Sequence, residues 1–401
     1  MSEREPDLDT LAPDSGVDES RRPSSANRNS ESSGDVDADS DAAASDAPDT
    51  PGLHHLSVVS GDPYGTLTFY RDVLGLRLVK RTVNHDEPAV HHLYFGDAEA
   101  TRGTTFTAFP YPLDPGGRRG AGQPSETAFA IPEGSREYWQ ERLASHGVEA
   151  EAGERFGERT LTVTDRDGLD LALIESAGAG VLGVDETPVD PWNESVPDEH
   201  AIRGIHSTTL RSNSPYVTGR VLELFGFGLV GQEGDRVRYV AGADGVETEG
   251  LDADTTDLAE APTPGTVVDL YGREEPWGKE GAGTGHHVAV RMPDRAALDA
   301  WHDRLLDAGL SPSQPRERYY FDSVYVRDPG GVLFELATDG PGIDRDEPIE
   351  ELGSELRLPP WLEADESMIR DQLPPLDEPV RYDDEEHDTD DIDDTAQGGK
   401  R

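Results

Sequence analysis

Cysteine is absent from the 401 residues, which removes structural disulfides, thiolate metal sites and a cysteine nucleophile together. Basic residues are scarce: 35 Lys and Arg stand against 83 Asp and Glu, a formal net charge of -48. Acid in that excess is spread over helix faces, loops and both ends, and reads as a solvated surface. It repels nucleic-acid phosphates and anionic membrane surfaces, so neither is expected as a partner. At 1 M salt the Debye length falls to about 3 Å and self-repulsion is screened; the composition therefore predicts a halophilic protein whose stability needs concentrated salt. No apolar run approaches the roughly 18 residues of a membrane span. The opening Met1-Ser2-Glu3-Arg4-Glu5-Pro6-Asp7 has neither the basic nor the apolar region of an export signal, so a cytoplasmic location is expected. Gly-rich phosphate loops and nucleophile elbows in a supporting context are also missing, which leaves nucleotide-dependent and serine-hydrolase chemistry without a motif.

What is present is a repeat between two acidic tails. Residues 1–50 are Ser, Asp, Ala, Pro and Asn with few large apolar side chains, and residues 377–401 read the same way, so both are expected to be disordered. Between them a unit of short strand, amphipathic helix and extended closing segments recurs four times. The openings are Leu53-His54-His55-Leu56, Thr127-Ala128-Phe129-Ala130, Ile205-His206-Ser207-Thr208 and His286-His287-Val288-Ala289. Each helix finishes near a glycine (Gly75, Gly147, Gly226, Gly309), the expected left-handed cap. The closing strands include Gly103–Thr107, Gly168–Ala172, Gly265–Asp269 and Gly331–Glu335. The expected division is a first domain over 51–180, a second over 200–345, each of two βαβββ modules, and an extension over 346–376 packing on the core.

Three residues of the repeat carry chemistry. His55 and His287 lie on opening strands, and Glu335 lies on a closing strand within the apolar run Leu333-Phe334-Glu335-Leu336-Ala337. Two histidines and one carboxylate hold a divalent ion by one face and leave the opposite face open. A lone strand histidine is ordinarily a hydrogen-bonded core residue, but a carboxylate in a buried run is costly without a cation.

Four βαβββ modules resemble the vicinal oxygen chelate superfamily, over nearly all of the folded length. The chain is most similar to its ring-cleaving dioxygenases that act on hydroquinone-type substrates. The resemblance rests on Gly52-Leu53-His54-His55 with Phe69-Tyr70 and Leu74-Gly75-Leu76; on His92-Leu93-Tyr94-Phe95-Gly96-Asp97; on Tyr320-Phe321-Asp322-Ser323-Val324-Tyr325 running into Asp328-Pro329-Gly330-Gly331; and on Leu358-Pro359-Pro360-Trp361-Leu362. It implies an α+β fold of two domains with cup-shaped mixed sheets, and a ring-cleaving dioxygenase using Fe(II), for which Mn(II) would fit the same ligands. A small aromatic diol and O2 are the implied partners; oligomeric state stays open.

Aligning the four copies places His55, Phe129, His206 and His287 at one position and Thr107, Ala172, Asp269 and Glu335 at another. Pairing the first module with the fourth gives a cup with His55, His287 and Glu335 and with Thr107 in the fourth place. The other cup would hold His206 and Asp269 alone, a decayed site. Glyoxalase-type lyases or isomerases, the alternative enzyme reading, resemble the same fold but use a carboxylate on both closing strands, and Thr107 departs from that. A non-catalytic sequestering protein of the superfamily is the other alternative. The resemblance further implies His54 as an acid/base residue, Tyr325 as a hydroxyl donor to substrate oxygen, and Arg318 as a stabiliser of developing negative charge. Strand alternation sends His54 to the face opposite His55 unless a bulge intervenes. His85, His91 and His92 are left out of the site, and the loop Pro110–Pro124 reads either as a lid or as an inter-module crossing.

Overall fold

The computed structural model describes residues 47–245, 261–273 and 275–380. All four modules form. The first runs through Leu53–Ser60, the helix Pro63–Leu67 continuing as a π-helix to Val73, then Arg77–Val83, His91–Gly96 and Thr105–Pro110. The second comprises Gln123–Pro132, helix Arg136–Ser145, Ala150–Arg155, Glu158–Thr164 and Asp170–Ser176. The third comprises Ile205–Arg211, helix Pro215–Leu224, Phe227–Glu233, Arg236–Ala241 and Val267–Tyr271. The fourth comprises Thr284–Met292, helix Arg295–Asp307, Arg316–Glu317, Phe321–Arg327 and Leu333–Pro341.

The last of these helices shows why the pattern folds this way. Leu298, Trp301 and Leu305 recur at three and four residues and are wholly buried. Asp294 accepts from the Ala297 amide at 2.9 Å and caps the first turn. Trp301 donates its indole N–H to the Pro48 carbonyl at 2.7 Å. Order therefore starts ahead of residue 51: Ala47 and Thr50 are buried, and the Thr50 hydroxyl donates to the Arg291 carbonyl. The disorder expected for the rest of 1–50, and for 381–401, lies outside the described residues; within the expected tail 377–401, Val380 donates its backbone N–H to Asp62 at 3.0 Å.

The two sheets form across the expected halves of the chain. Each opening strand pairs antiparallel with another and parallel with its own closing strand, which gives two eight-stranded mixed sheets. One joins the first module to the fourth; the other joins the second to the third. The boundaries 51–180 and 200–345 thus follow chain order but not the cups, because the opening strands of modules one and four are hydrogen-bonded to each other. The loop 111–122 is an inter-module crossing. It meets its counterpart through bridges at Gly116–Ala282, Arg118–Lys279 and Ala121–Trp277.

Register corrects the alignment of the copies. Counting from the parallel pairs Ser57–Thr107, Ala289–Glu335, Ala128–Ala172 and Thr209–Asp269, the positions two residues earlier are His55, His287, Glu126 and Ser207. Phe129 and His206 do not hold those places. A bulge falls between Leu53 and His55 and again between Ile205 and Ser207, so His206 matches His54. Sequence spacing alone does not show a one-residue bulge.

Residues 343–376 cross the outer strands of the first module. Leu356 and Ile369 pack on Val83, and Arg357 donates its backbone N–H to Arg81. Lys80, fully buried, donates to Asp346 at 2.6 Å and to Glu347.

Candidate metal centre

Gly52 starts the strand that carries the two N-terminal histidines. Its φ of 136° suits glycine, and a Cβ there would lie 2.5 Å from the Gly265 carbonyl oxygen. The bulge that follows breaks the alternation of side chains, and the Nδ1 atoms of His54 and His55 meet at 2.8 Å. The fourth module repeats the arrangement: His286 and His287 meet through Nδ1 at 2.7 Å.

The structure brings His55, His287 and Glu335 together, each at most 4 % exposed. Their inward atoms form a near-equilateral triangle. His55 Nε2 lies 3.0 Å from His287 Nε2 and 3.1 Å from Glu335 Oε2, and His287 Nε2 lies 2.8 Å from the same oxygen. With metal–donor bonds of about 2.1 Å, ligands at right angles stand about 3.0 Å apart. The triangle has the dimensions of one face of an octahedral ion.

Proton accounting points the same way. The Thr338 carbonyl can only accept, so His54 Nε2, 3.2 Å away, carries a hydrogen. Neutral His54 then accepts at Nδ1, and His55 donates from its own Nδ1 and leaves Nε2 bare. A bare nitrogen cannot donate to Glu335, whose Oε2 has no hydrogen-bond partner among the described residues. Lone pairs converging in a buried space fit a cation. Glu335 Oε1 accepts from the Ser323 hydroxyl. Burial lowers the His54 pKa well below its ordinary value and keeps the ring neutral.

The fourth place is taken. Thr107 Oγ1 bonds Ser57 Oγ at 2.7 Å and His92 Nε2 at 3.0 Å. His92 stacks on Phe109 at 4.0 Å and lies 4.1 Å from the Tyr94 ring, while Phe321 lies 5.3 Å from the rings of both His54 and His55. Flat aromatic walls therefore adjoin the triad.

Tyr325 places its ring 6.0 Å from that of His287, edge to face. Burial and then the Glu335 charge raise its hydroxyl pKa, so it keeps its proton. The Arg318 guanidinium sits 5.4 Å from the centre of the Tyr325 ring and donates to Asp86 at 2.8 Å. The structure thus gathers five of the six expected site residues in one cup, and the sixth, His54, lies against His55 with both ring nitrogens engaged.

Ser57, Ser323, His286 and Asp86 escaped the sequence reading, and His92, a candidate there for pocket lining, was set aside. The repeated His-His doublet was a visible signal for His286, and Tyr94 two residues on was one for His92. Asp86, in the turn after the second strand, left none. A cavity of about 940 Å³ is a groove lined by residues such as Asp72, His146 and Arg166 and includes none of the triad. Convergent ligand atoms are the better guide to chemistry here than volume.

The chain belongs to the Glyoxalase/Bleomycin resistance protein/Dioxygenase superfamily, whose model matches residues 52–173 and 222–336. It is 38% identical, over 82% of its length and 99% of the relative's, to MhqE of Bacillus subtilis, a protein provisionally named a ring-cleaving dioxygenase. Against the chlorohydroquinone/hydroquinone 1,2-dioxygenase of Sphingobium indicum it is 34% identical, over 80% of this chain and 94% of that protein. A crystal structure of a Bacillus subtilis protein, likewise provisionally called a dioxygenase, superposes with a TM-score of 0.72 at 35% identity. It covers 82% of this chain and 98% of its own.

Proposed function

We propose that this chain is an extradiol-type ring-cleaving dioxygenase that opens a hydroquinone or catechol-like ring with O2, with Fe(II) held by His55, His287 and Glu335. The observation that carries the reading is the triangle of donor atoms beside aromatic walls. The names of the relatives supply the reaction class. A ferrous ion on such a face supplies two things, open positions for substrate and O2 and a path for electrons between them.

The protein residues do the rest. The carbonyl of Thr338, through His54, fixes the tautomer that turns the His55 lone pair inward. His54 therefore acts as a positioning residue, not the acid/base first expected. His286 makes the matching contact to His287. The walls formed by His92, Phe109 and Phe321 orient a flat ring and exclude water. Tyr325 donates its phenolic hydrogen to a substrate oxygen, and Arg318, oriented by Asp86, lies beside the negative charge that develops there.

The test is oxygen uptake by anaerobically purified, iron-loaded protein in molar salt, on addition of hydroquinone, with mass spectrometry of the product. Ring-opened acid carrying both atoms of 18O2 is expected. Full iron occupancy without uptake across a panel of diols would refute the dioxygenase reading and favour lyase chemistry.

A further inference from the structure

The second cup keeps the layout of the first with its chemistry exchanged. Glu126 stands in the place of His287, Ser207 in that of His55, Ala172 in that of Glu335 and Asp269 in that of Thr107. On the neighbouring strand Arg238 faces Asp269 as Tyr94 faces Thr107, so Arg236, two residues earlier, stands where His92 does. Two ligand positions thus carry carboxylates, and both are buried.

A cation lies between those carboxylates, and the chain supplies it. Arg236 Nη1 is 3.2 Å from Asp269 Oδ2, 3.7 Å from Glu126 Oε1 and 2.5 Å from the Thr209 hydroxyl, which it meets as a donor. The surrounding charges are already matched. Arg155 grips Glu126 through both terminal nitrogens, and Arg238 grips Asp269 through Nε and Nη2 while reaching Glu158. Glu158 also meets His206 at 3.0 Å. With Arg236 present, three carboxylates face three guanidinium groups. Without it, the same three buried carboxylates face only two guanidinium groups, and Glu126 and Asp269 lose the cation that lies between them.

We propose that Arg236 is the resident cation of the second cup, and that the cup is a latent divalent-ion site which its guanidinium keeps closed. The side chains that would ligate an ion in its absence are Glu126 and Asp269, with the hydroxyls of Thr209 and Ser207 beside them. This all-oxygen set suits a hard ion such as Mn2+. No residue of this set belongs to the first cup.

Mn2+ bound per chain is counted by electron paramagnetic resonance in molar NaCl, which suppresses binding to the acidic surface, for the full chain, Arg236→Ala, Arg236→Lys and Arg236→Ala/Glu126→Gln. Arg236→Ala is expected to take up one more Mn2+ than the unaltered chain, and the lysine and double variants none beyond it. If the first cup holds no ion, the counts fall by the same amount in every protein and the difference stands. Equal counts in Arg236→Ala and the unaltered chain would overturn the proposal, as would an extra ion that survives Glu126→Gln. Should Arg236→Ala not fold alone, refolding yield with and without Mn2+ decides: rescue by the ion supports the latent site, and its failure refutes it.

Discussion

Asp86 and Arg318 come from opposite ends of the folded chain, and their side chains meet at 2.8 Å. Asp86 is on the first module and Arg318 on the fourth, beside the ring of Tyr325. Asp86 is largely exposed, so the pair is worth little to stability. Its value is orientation. Asp86→Asn is expected to lower kcat roughly tenfold with little change in KM, short of the about 100-fold loss expected for Arg318→Met. Steady-state kinetics on iron-loaded protein checks this, and an unchanged kcat would free Arg318 of any need for Asp86.

His54 gives a sharper prediction, because its two ring nitrogens connect a carbonyl to a proposed ligand. Removing a group that orients a metal ligand typically costs about 10–100-fold in metal affinity. His54→Ala should show that loss in a chelator competition, with activity restored by excess Fe(II). Unchanged affinity together with lost activity would return His54 to the acid/base role.

Lys80 fastens the C-terminal extension to the first module through Asp346 and Glu347. Breaking a buried pair from one side costs about 3–5 kcal/mol. Lys80→Ala should lose that much in denaturant unfolding, and Lys80→Met combined with Glu347→Leu should regain most of it. A loss below about 1 kcal/mol would show the pair to be solvated.

Acid should attack the second cup. Burial raises the pKa of Glu126, Glu158 and Asp269, but the arginines and His206 around them win, and all three carboxyls titrate below their ordinary values. A depressed folded pKa contributes stability above the unfolded value and loses it as pH falls through the folded one. The contribution is therefore complete above about pH 5 and drains away below about pH 4. Asp269→Asn should flatten the rise of unfolding free energy with pH below about pH 4, and an unaltered slope there would contradict the assignment.

Salt provides a further test. A net charge of -48 repels itself across a Debye length of about 10 Å at 0.1 M and about 3 Å at 1 M. The melting temperature should rise steeply with KCl over that range. A flat profile would remove the halophilic reading.

Much of this was legible in the chain. Four copies of one pattern, each with strand, capped helix and closing strand, are visible because apolar periodicity and glycine caps are local signals. His55, His287 and Glu335 stood out because each sits in an apolar run where a polar side chain needs a reason. What stayed hidden was non-local or register-dependent. The bulge before His55 cannot be read from spacing, and the same bulge displaced His206 by one position. Glu126, Arg155 and Arg236 look like surface charges in a chain full of them, and only pairing across strands shows that they close a cup.

The union of the first module with the fourth has a consequence for biosynthesis. Glu335 leaves the ribosome long after His55, and the sheet that holds both needs strands from the two ends of the fold. Domains generally fold as units during synthesis, but here the second and third modules are complete while the first still lacks its partner strand. A premature stop before residue 284 removes that partner strand and would leave an unpaired edge on the first module in place of a working fragment. Such a chain would expose a row of unpaired backbone groups, a template for pairing with other chains.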